Sequence, residues 1–250
     1  MRGMEQALFS PDTYIDCPFD RDGFKNGLIG KAQAFYNMDV LTISRKLGIP
    51  ALGKESVRRI ANGIIEYNKQ LFDRAKIYPK IYVMYPNSPS TGQHVSLPTF
   101  LMKRVDCTDW WNSDLRKLIM ENEFLFMVFE NEDEKPKRRL DKNIIFKEAF
   151  FWKMPLEDVE EVAWVYNEAR KVIRAGVEVY PMLAMTGKVI KGNNLPRPSD
   201  NRICHVRPHG NPKTPEWLPS GESINQQSFW LNAEYIQNVI NSHMGEKLFK

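Results

Sequence analysis

The sequence predicts an α/β (α+β) fold: a mixed central sheet flanked by helices, with an N-terminal helical lobe. Three observations predict it. Phe124 to Phe129 reads FLFMVF, an unbroken apolar run of strand length, as expected of a strand buried on both faces. Pro155 to Ala175 repeats Val159, Val162, Val165, Ala169, Val172 and Ile173 at helical spacing. The elements run helices, strands, a long helix, strands and a last helix, with no internal repeat, which packs helices around a sheet in one domain. The chain divides as a leading segment (1–35), a helical arm (36–72), and a core sheet with a C-terminal helix (73–250).

Residues 1–30 are weakly patterned and broken by Pro11, Pro18, Gly23, Gly27 and Gly30. Met38 to Gly48 is a short helix, with Asp39 placed to cap it and Gly48 to end it. A second helix runs from about Glu55 to Gln70, with Val57, Ile60, Ala61 and Ile64 as its apolar face. These two could form a helix-turn-helix with Arg58 and Arg59 opening a recognition helix, or a helical hairpin that packs on a sheet. Lys80 to Tyr85 alternates as a strand, and Pro86 to Pro98 is a loop. A helix at Asp109 to Met120 precedes the FLFMVF strand. The run Glu130 to Asn143 holds Lys135, Lys137, Arg138, Arg139 and Lys142 among acids, and reads as a solvated hairpin tip or a phosphate-contacting arm. Ile144 to Trp152 is the next strand. Pro155 opens the long helix, Glu157 and Asp158 favour its first turn, and Gly176 stops it. Val177 to Met182 is a strand, and Gly187 to Asn201 a loop with Lys188, Lys191 and Arg197. NRICHVRPH (201–209) is a strand ending in a basic tip. A Pro/Gly-rich loop, the SFWLN turn and a helix from Asn232 to Met244 complete the chain.

The hydrophobic fraction of 42% and the charged fraction of 26% are those of ordinary soluble globular proteins. The net charge of +4 and pI near 8.8 permit nucleic-acid binding without demanding it, so the placement of charge matters more than its sum. Cys17, Cys107 and Cys204 are scattered and odd in number, which argues against a disulfide framework and for a reducing compartment. No apolar run approaches the ~18 residues of a membrane span, and the N-terminus lacks a signal peptide's apolar core. A cytoplasmic protein with no membrane partner is expected.

Several constellations bear on chemistry. Cys204, His205 and His209 look like part of a zinc site, but no second pair stands at ligand spacing, and adjacent strand residues point to opposite faces. No metal is expected there. A metal-dependent nuclease needs clustered carboxylates for Mg²⁺ and a lysine, often as an Asp followed by Glu-x-Lys on a strand. Here Asp73 precedes a strand, but Tyr78 and Pro79 stand before Lys80, and a phenol does not replace the carboxylate. Arg207 is the best single candidate for base readout, since a bidentate guanidinium to guanine is the commonest specific contact; a salt-bridged surface arginine is the alternative. Trp230 could meet bases or fill the core.

FLFMVF, FKEAFFWKMP, ICHVRPHGN and QQSFWLNAEYI, in this order and spacing, resemble the MutH/Sau-three-A family of GATC-specific endonucleases. The resemblance runs from about Pro18 to His243 and is nearest to the C-terminal, non-catalytic half of that family's two-copy type II restriction enzyme. It implies a MutH-like PD-(D/E)xK restriction-endonuclease-like fold and a single MutH-like DNA-binding domain over 1–250. The family's arginine in Arg-Pro and tyrosine in Phe-Tyr-Leu match Arg207 and Trp230; its Glu-Leu-Lys matches Tyr78-Pro79-Lys80, keeping the lysine and losing the glutamate. The implied function is GATC-specific duplex DNA binding as an allosteric effector, with no catalytic residues and no cofactor of its own. Arg207 and Trp230 would read bases, and Lys80, His209, Lys213 and Gln226 would support them. The partners implied are double-stranded DNA and a MutH-like catalytic domain upstream in the same parent protein, where Mg²⁺ would act. Two alternatives remain: a Mg²⁺-dependent endonuclease with carboxylates from Glu121, Glu123 or Glu148, and a helix-turn-helix regulator using Arg58 and Arg59.

Overall fold

The computed structural model describes residues 19–51, 55–85, 93–132, 143–183, 187, 189–209 and 214–248. Lys213 and the basic run 133–142 lie outside the described residues. The first element among the described residues is α1 (Arg21–Gln33), capped by the Asp20 carboxylate, which accepts from the Gly23 N–H. In α2 (Val40–Leu47) the Asp39 side chain accepts from Thr42, and Gly48 ends the helix at φ +65°, both as the sequence indicates. The single helix expected over 55–70 is instead two: α3 (Ser56–Ile64) and α4 (Lys69–Ala75). Glu66 at φ +46° breaks the path, and Asn68 starts α4 by accepting from the Leu71 N–H. Gly63 sits inside α3 because Ile49 packs where a Cβ would stand, 2.2 Å from its terminal carbon.

Among the described residues the expected single central sheet is two three-stranded sheets with two small hairpins beside them. In the first, β1 (Ile77–Met84) runs parallel to β3 (Glu123–Asn131), which pairs antiparallel with β4 (Ile144–Trp152). FLFMVF is the middle strand, as its unbroken apolarity requires. Its Phe124, Phe126 and Val128 enter one hydrophobic cluster, and Leu125, Met127 and Phe129 enter the other. The second cluster carries the buried faces of α1–α4. Pro79 lies on β1, an edge strand of this sheet, where proline is tolerated.

The second sheet is antiparallel throughout: β2 (Val95–Phe100), then β10 (Gln227–Leu231) at the centre, then β7 (Cys204–Pro208). SFWLN, expected as a turn, therefore belongs to the central strand, and part of the expected 86–98 loop is strand β2. Between the sheets in sequence lie α5 (Met102–Cys107), a short 3₁₀ turn at Trp110–Asn112 and α6 (Asp114–Glu121). The long helix α7 (Leu156–Ala175) follows β4, with Pro155 one place before its first turn. The small hairpins are β5 (Val179–Leu183) with β6 (Val189–Asn193), and β8 (Glu216–Trp217) with β9 (Ser223–Ile224). The last helix, α8 (Ala233–Leu248), is tied to α7 by the Tyr235 hydroxyl, which donates to Asp158 Oδ2 at 2.7 Å. This is an α+β architecture of small sheets and helices. Among the described residues no helix is long and apolar enough to cross a membrane.

Candidate nucleic-acid interface

The end of the second sheet gathers most of the residues singled out in the sequence. Arg207 is the fourth residue of β7 and lies opposite Ser228, while Trp230 lies opposite His205. The Arg207 guanidinium carbon stands 5.1 Å from the centroid of the Trp230 ring, within the range of a cation–π contact. The indole N–H donates to the Arg207 carbonyl at 3.2 Å, so the ring is fixed to the strand that carries the arginine. His209 meets the same ring edge-on, with centroids 4.8 Å apart. The His209 N–H in turn donates to the Gln226 carbonyl at 3.0 Å. Arg207 and His209 are exposed and Trp230 is half-buried. Trp230 is thus neither core nor open surface. Its N–H is engaged within the sheet, and its ring remains as a platform.

Lys80 reaches this place from the other sheet. Its ammonium group donates to the carbonyl of Ser96 on β2, and Ser96 is the partner of Trp230 across the β2–β10 pair. It also lies 4.5 Å from the Tyr78 ring centroid. Burial is the main cause that pulls the Lys80 ammonium down to about 7, and the nearby Arg58 charge adds to it. Arg58, on α3, is exposed and only loosely paired with Glu55 at 3.7 Å. The helical arm therefore contributes a cation to the same electrostatic neighbourhood. Arg59 donates instead to the Pro50 carbonyl at 3.2 Å.

The field around the cluster is positive. His209 is held below the usual histidine range by burial, then by Lys80 and Arg207. His94 is lowered by burial and then by Arg207. Among the described residues no ion pair engages Arg207. The salt-bridged alternative for this arginine is not what the structure holds. An exposed guanidinium with its donors open, beside an ammonium and neutral imidazoles, is suited to phosphate oxygens and base acceptors.

Behind the exposed tip lies a buried polar network that no local sequence pattern signals. His205 Nδ1 lies 2.5 Å from Asn232 Oδ1, and the Asn232 amide donates to the Asn201 carbonyl at 2.6 Å. The Asn201 side chain accepts from the N–H groups of Ile203 and Cys204, and donates to Glu161 on α7 at 2.7 Å. The Ala233 N–H at the start of α8 donates to His94 Nδ1, and the His94 ring packs against His205 at 4.6 Å. Burial drives His205 down to about 4 and the Cys204 thiol up to about 12. Cys204 and His205 are thus neutral, buried structural groups that hold β7 in place.

The residues at the Glu-x-Lys position do not fit a divalent cation. They supply a phenol, a proline and an ammonium group, and the Tyr78 ring packs edge-on against Phe124. Asp73 pairs with Lys69 on α4. The three alternative carboxylates are engaged in separate places. Glu121 pairs with Lys76 at 2.9 Å, and Glu123 with Arg21 and Lys25. Glu148 is buried 3.6 Å from His243 Nε2, beneath α8. Among the described residues, no three His, Cys, Asp or Glu side chains converge to hold a metal ion.

The sequence is similar to the type II restriction enzyme Sau3AI of Staphylococcus aureus. The two are 26% identical over 272 aligned positions, covering 92% of this chain and 54% of the relative. The chain thus spans about half the length of this curated relative. No family model matches the sequence.

Proposed function

We propose that this chain is a sequence-specific duplex-DNA-binding module for GATC, acting as the non-catalytic effector half of a MutH-like type II restriction endonuclease. The observation that carries the reading is the convergence of Arg207, His209, Trp230 and Lys80, drawn from three strands and one loop, on one positive surface, with no carboxylate partner for Arg207 among the described residues. In this reading Arg207 donates to guanine, oriented by the Trp230 ring. Lys80 and His209 contact phosphates, and Arg58 adds long-range attraction from the helical arm. Trp230 acts through its ring, because its N–H is held by the Arg207 carbonyl. The similarity to a restriction enzyme over about half that enzyme's length supports a module that works with a second, cutting half. The Tyr78-Pro79-Lys80 strand and the separately paired carboxylates support an effector role.

The test is a gel-shift titration of the purified chain on a duplex with one GATC and on a scrambled duplex, at two salt concentrations, without and with Mg²⁺. Preference for GATC without cleavage, lost in Arg207→Ala, is the expected result. Equal binding to both duplexes that fades steeply with salt would reduce the reading to phosphate contact alone. Cleavage with Mg²⁺ would overturn the non-catalytic assignment.

A further inference from the structure

Beside the Arg207 tip stands the β5–β6 ribbon, a feature to which the reading above gives no role. Its base is anchored. The Tyr180 hydroxyl donates to the Asn193 carbonyl at 2.6 Å, Lys191 donates to the Ser223 carbonyl at 3.1 Å, and the Glu178 N–H is held by Asn194. Gly192 is required opposite Tyr180, since a Cβ there would come within 2.7 Å of the ring. Toward its far end the ribbon becomes apolar and exposed. Leu183 and Val189, paired across the hairpin, are each 71% accessible, and the pair Met182 and Ile190 is also exposed. Large apolar side chains clustered at the end of an anchored ribbon mark a contact surface.

Two observations say what that surface meets. The first is charge. From Val179 to Ser199 the sequence has no Asp or Glu, and it carries Lys188, Lys191 and Arg197. Arg197 repeats the arrangement of Arg207: its guanidinium lies over an aromatic ring, that of Tyr180, at 5.8 Å and donates to the Tyr180 hydroxyl. No ion pair engages it among the described residues. The second is continuity. Tyr180, Met182 and Ile190 share one pocket of about 360 Å³ with Arg197, Arg207 and Pro208. The two aromatic-backed arginines therefore line one concavity.

We propose that the β5–β6 ribbon is a second arm of the DNA interface, in which Arg197 and Lys191 hold the backbone flanking the site read by Arg207 and the Leu183/Val189 tip presses against the bases in the groove. A two-stranded ribbon fits a DNA groove, and apolar Leu, Ile or Met side chains pressed against base steps are a known way to extend and fix such an interface. The inference rests on the DNA-binding reading above. It adds contacts outside the recognition sequence.

The test uses the full chain, a duplex of about three helical turns with one GATC, and hydroxyl-radical footprinting beside titration. Leu183→Ser/Val189→Ser should bind about tenfold more weakly, lose protection on one flank of GATC and keep its preference over the scrambled duplex. Arg197→Ala should make the salt dependence of log K shallower by about 0.9, the release expected for one phosphate contact. Trp111→Ser, which removes an equally exposed apolar side chain away from the ribbon, should bind as wild type. Unchanged affinity and footprint in the ribbon variants, or an equal loss in Trp111→Ser, would overturn the arm. The two readings fail separately. Wild-type chain that ignores GATC but loses affinity in the ribbon variants would sink base readout and keep the arm, whereas wild type that binds neither duplex would sink both.

Discussion

On the β1–β3–β4 sheet, charged side chains meet protein partners. Glu123 holds Arg21 and Lys25, Glu130 lies beside Lys147, and Glu148 lies beside His243. On the β2–β10–β7 sheet the pattern reverses. His205 Nδ1 and Asn232 Oδ1 are buried and bonded to one another, while Arg207 at the strand end meets the face of Trp230 and, among the described residues, no carboxylate. Partnered charges of the first kind contribute little individually at the surface. They tie α1, β4 and α8 to the strands of this sheet. With no carboxylate partner among the described residues, the Arg207 guanidinium adds to the free protein only what its contact with the Trp230 ring contributes, and its donors are left for an incoming ligand. The comparison separates charges that build the molecule from charges that bind.

The largest break of that comparison is Arg207→Ala. Its melting temperature should match wild type, because no carboxylate pairs with it among the described residues. GATC should lose about 1–3 kcal/mol of discrimination over a scrambled duplex, read by titration. An equal drop in melting temperature and binding would show that Arg207 builds the fold. Trp230→Phe is the next step down. It keeps a ring under Arg207 and removes the N–H that donates to the Arg207 carbonyl. The expected loss is about 1 kcal/mol, the typical net contribution of one hydrogen bond, shared between stability and discrimination.

Lys80 tests the boundary between the two kinds of charge, since it sits on β1 and points to β2. Its folded ammonium titrates near 7 because burial, then Arg58, disfavours the charge. A lysine depressed in the folded state is a stability penalty that is full below about 7 and fades as pH rises toward its unfolded value. Lys80→Met should therefore melt higher than wild type at pH 7, with the gap closing in alkali, and should bind DNA with a salt slope shallower by about 0.9. His205 titrates in the opposite window. It is held neutral down to about 4, so wild-type stability should fall as pH drops from about 6.5 toward 4, where the unfolded chain takes up the proton first. A flat melting profile over that range would show that His205 is not buried as described.

Parts of this were legible in the sequence for physical reasons. FLFMVF and the Pro155–Ala175 repeat carry their period within themselves, and Asp39 and Gly48 act on neighbouring backbone. The strands that were missed lack such local evidence. Pro98 disguises β2, and β10 is five residues placed directly before a helix, so it reads as a turn. What joins Lys80 to Ser96, and Ser96 to Trp230, is strand register between segments far apart in sequence. No local pattern encodes it. The pairing of Arg207 with Trp230 came from family resemblance; their stacking and the engaged indole N–H are properties of the folded sheet.

The smallest expected effect is the most pointed. Tyr78→Glu rebuilds Glu-x-Lys on β1, yet no Mg²⁺-dependent cleavage is expected, and the assay is release of product from a GATC plasmid. A single carboxylate does not make the site. Asp73, the acid upstream, is paired with Lys69 on exposed α4. Lys80 is drawn toward the Ser96 carbonyl on the other sheet. The new glutamate would replace a ring that packs on Phe124 and lies beneath the Lys80 ammonium. It would pair with Lys80 across the space the ring had filled, turning a binding cation into a building one. Weaker DNA binding without cleavage would place Tyr78 on the side of the interface, whereas cleavage would mean that one glutamate is all that separates this surface from an active site.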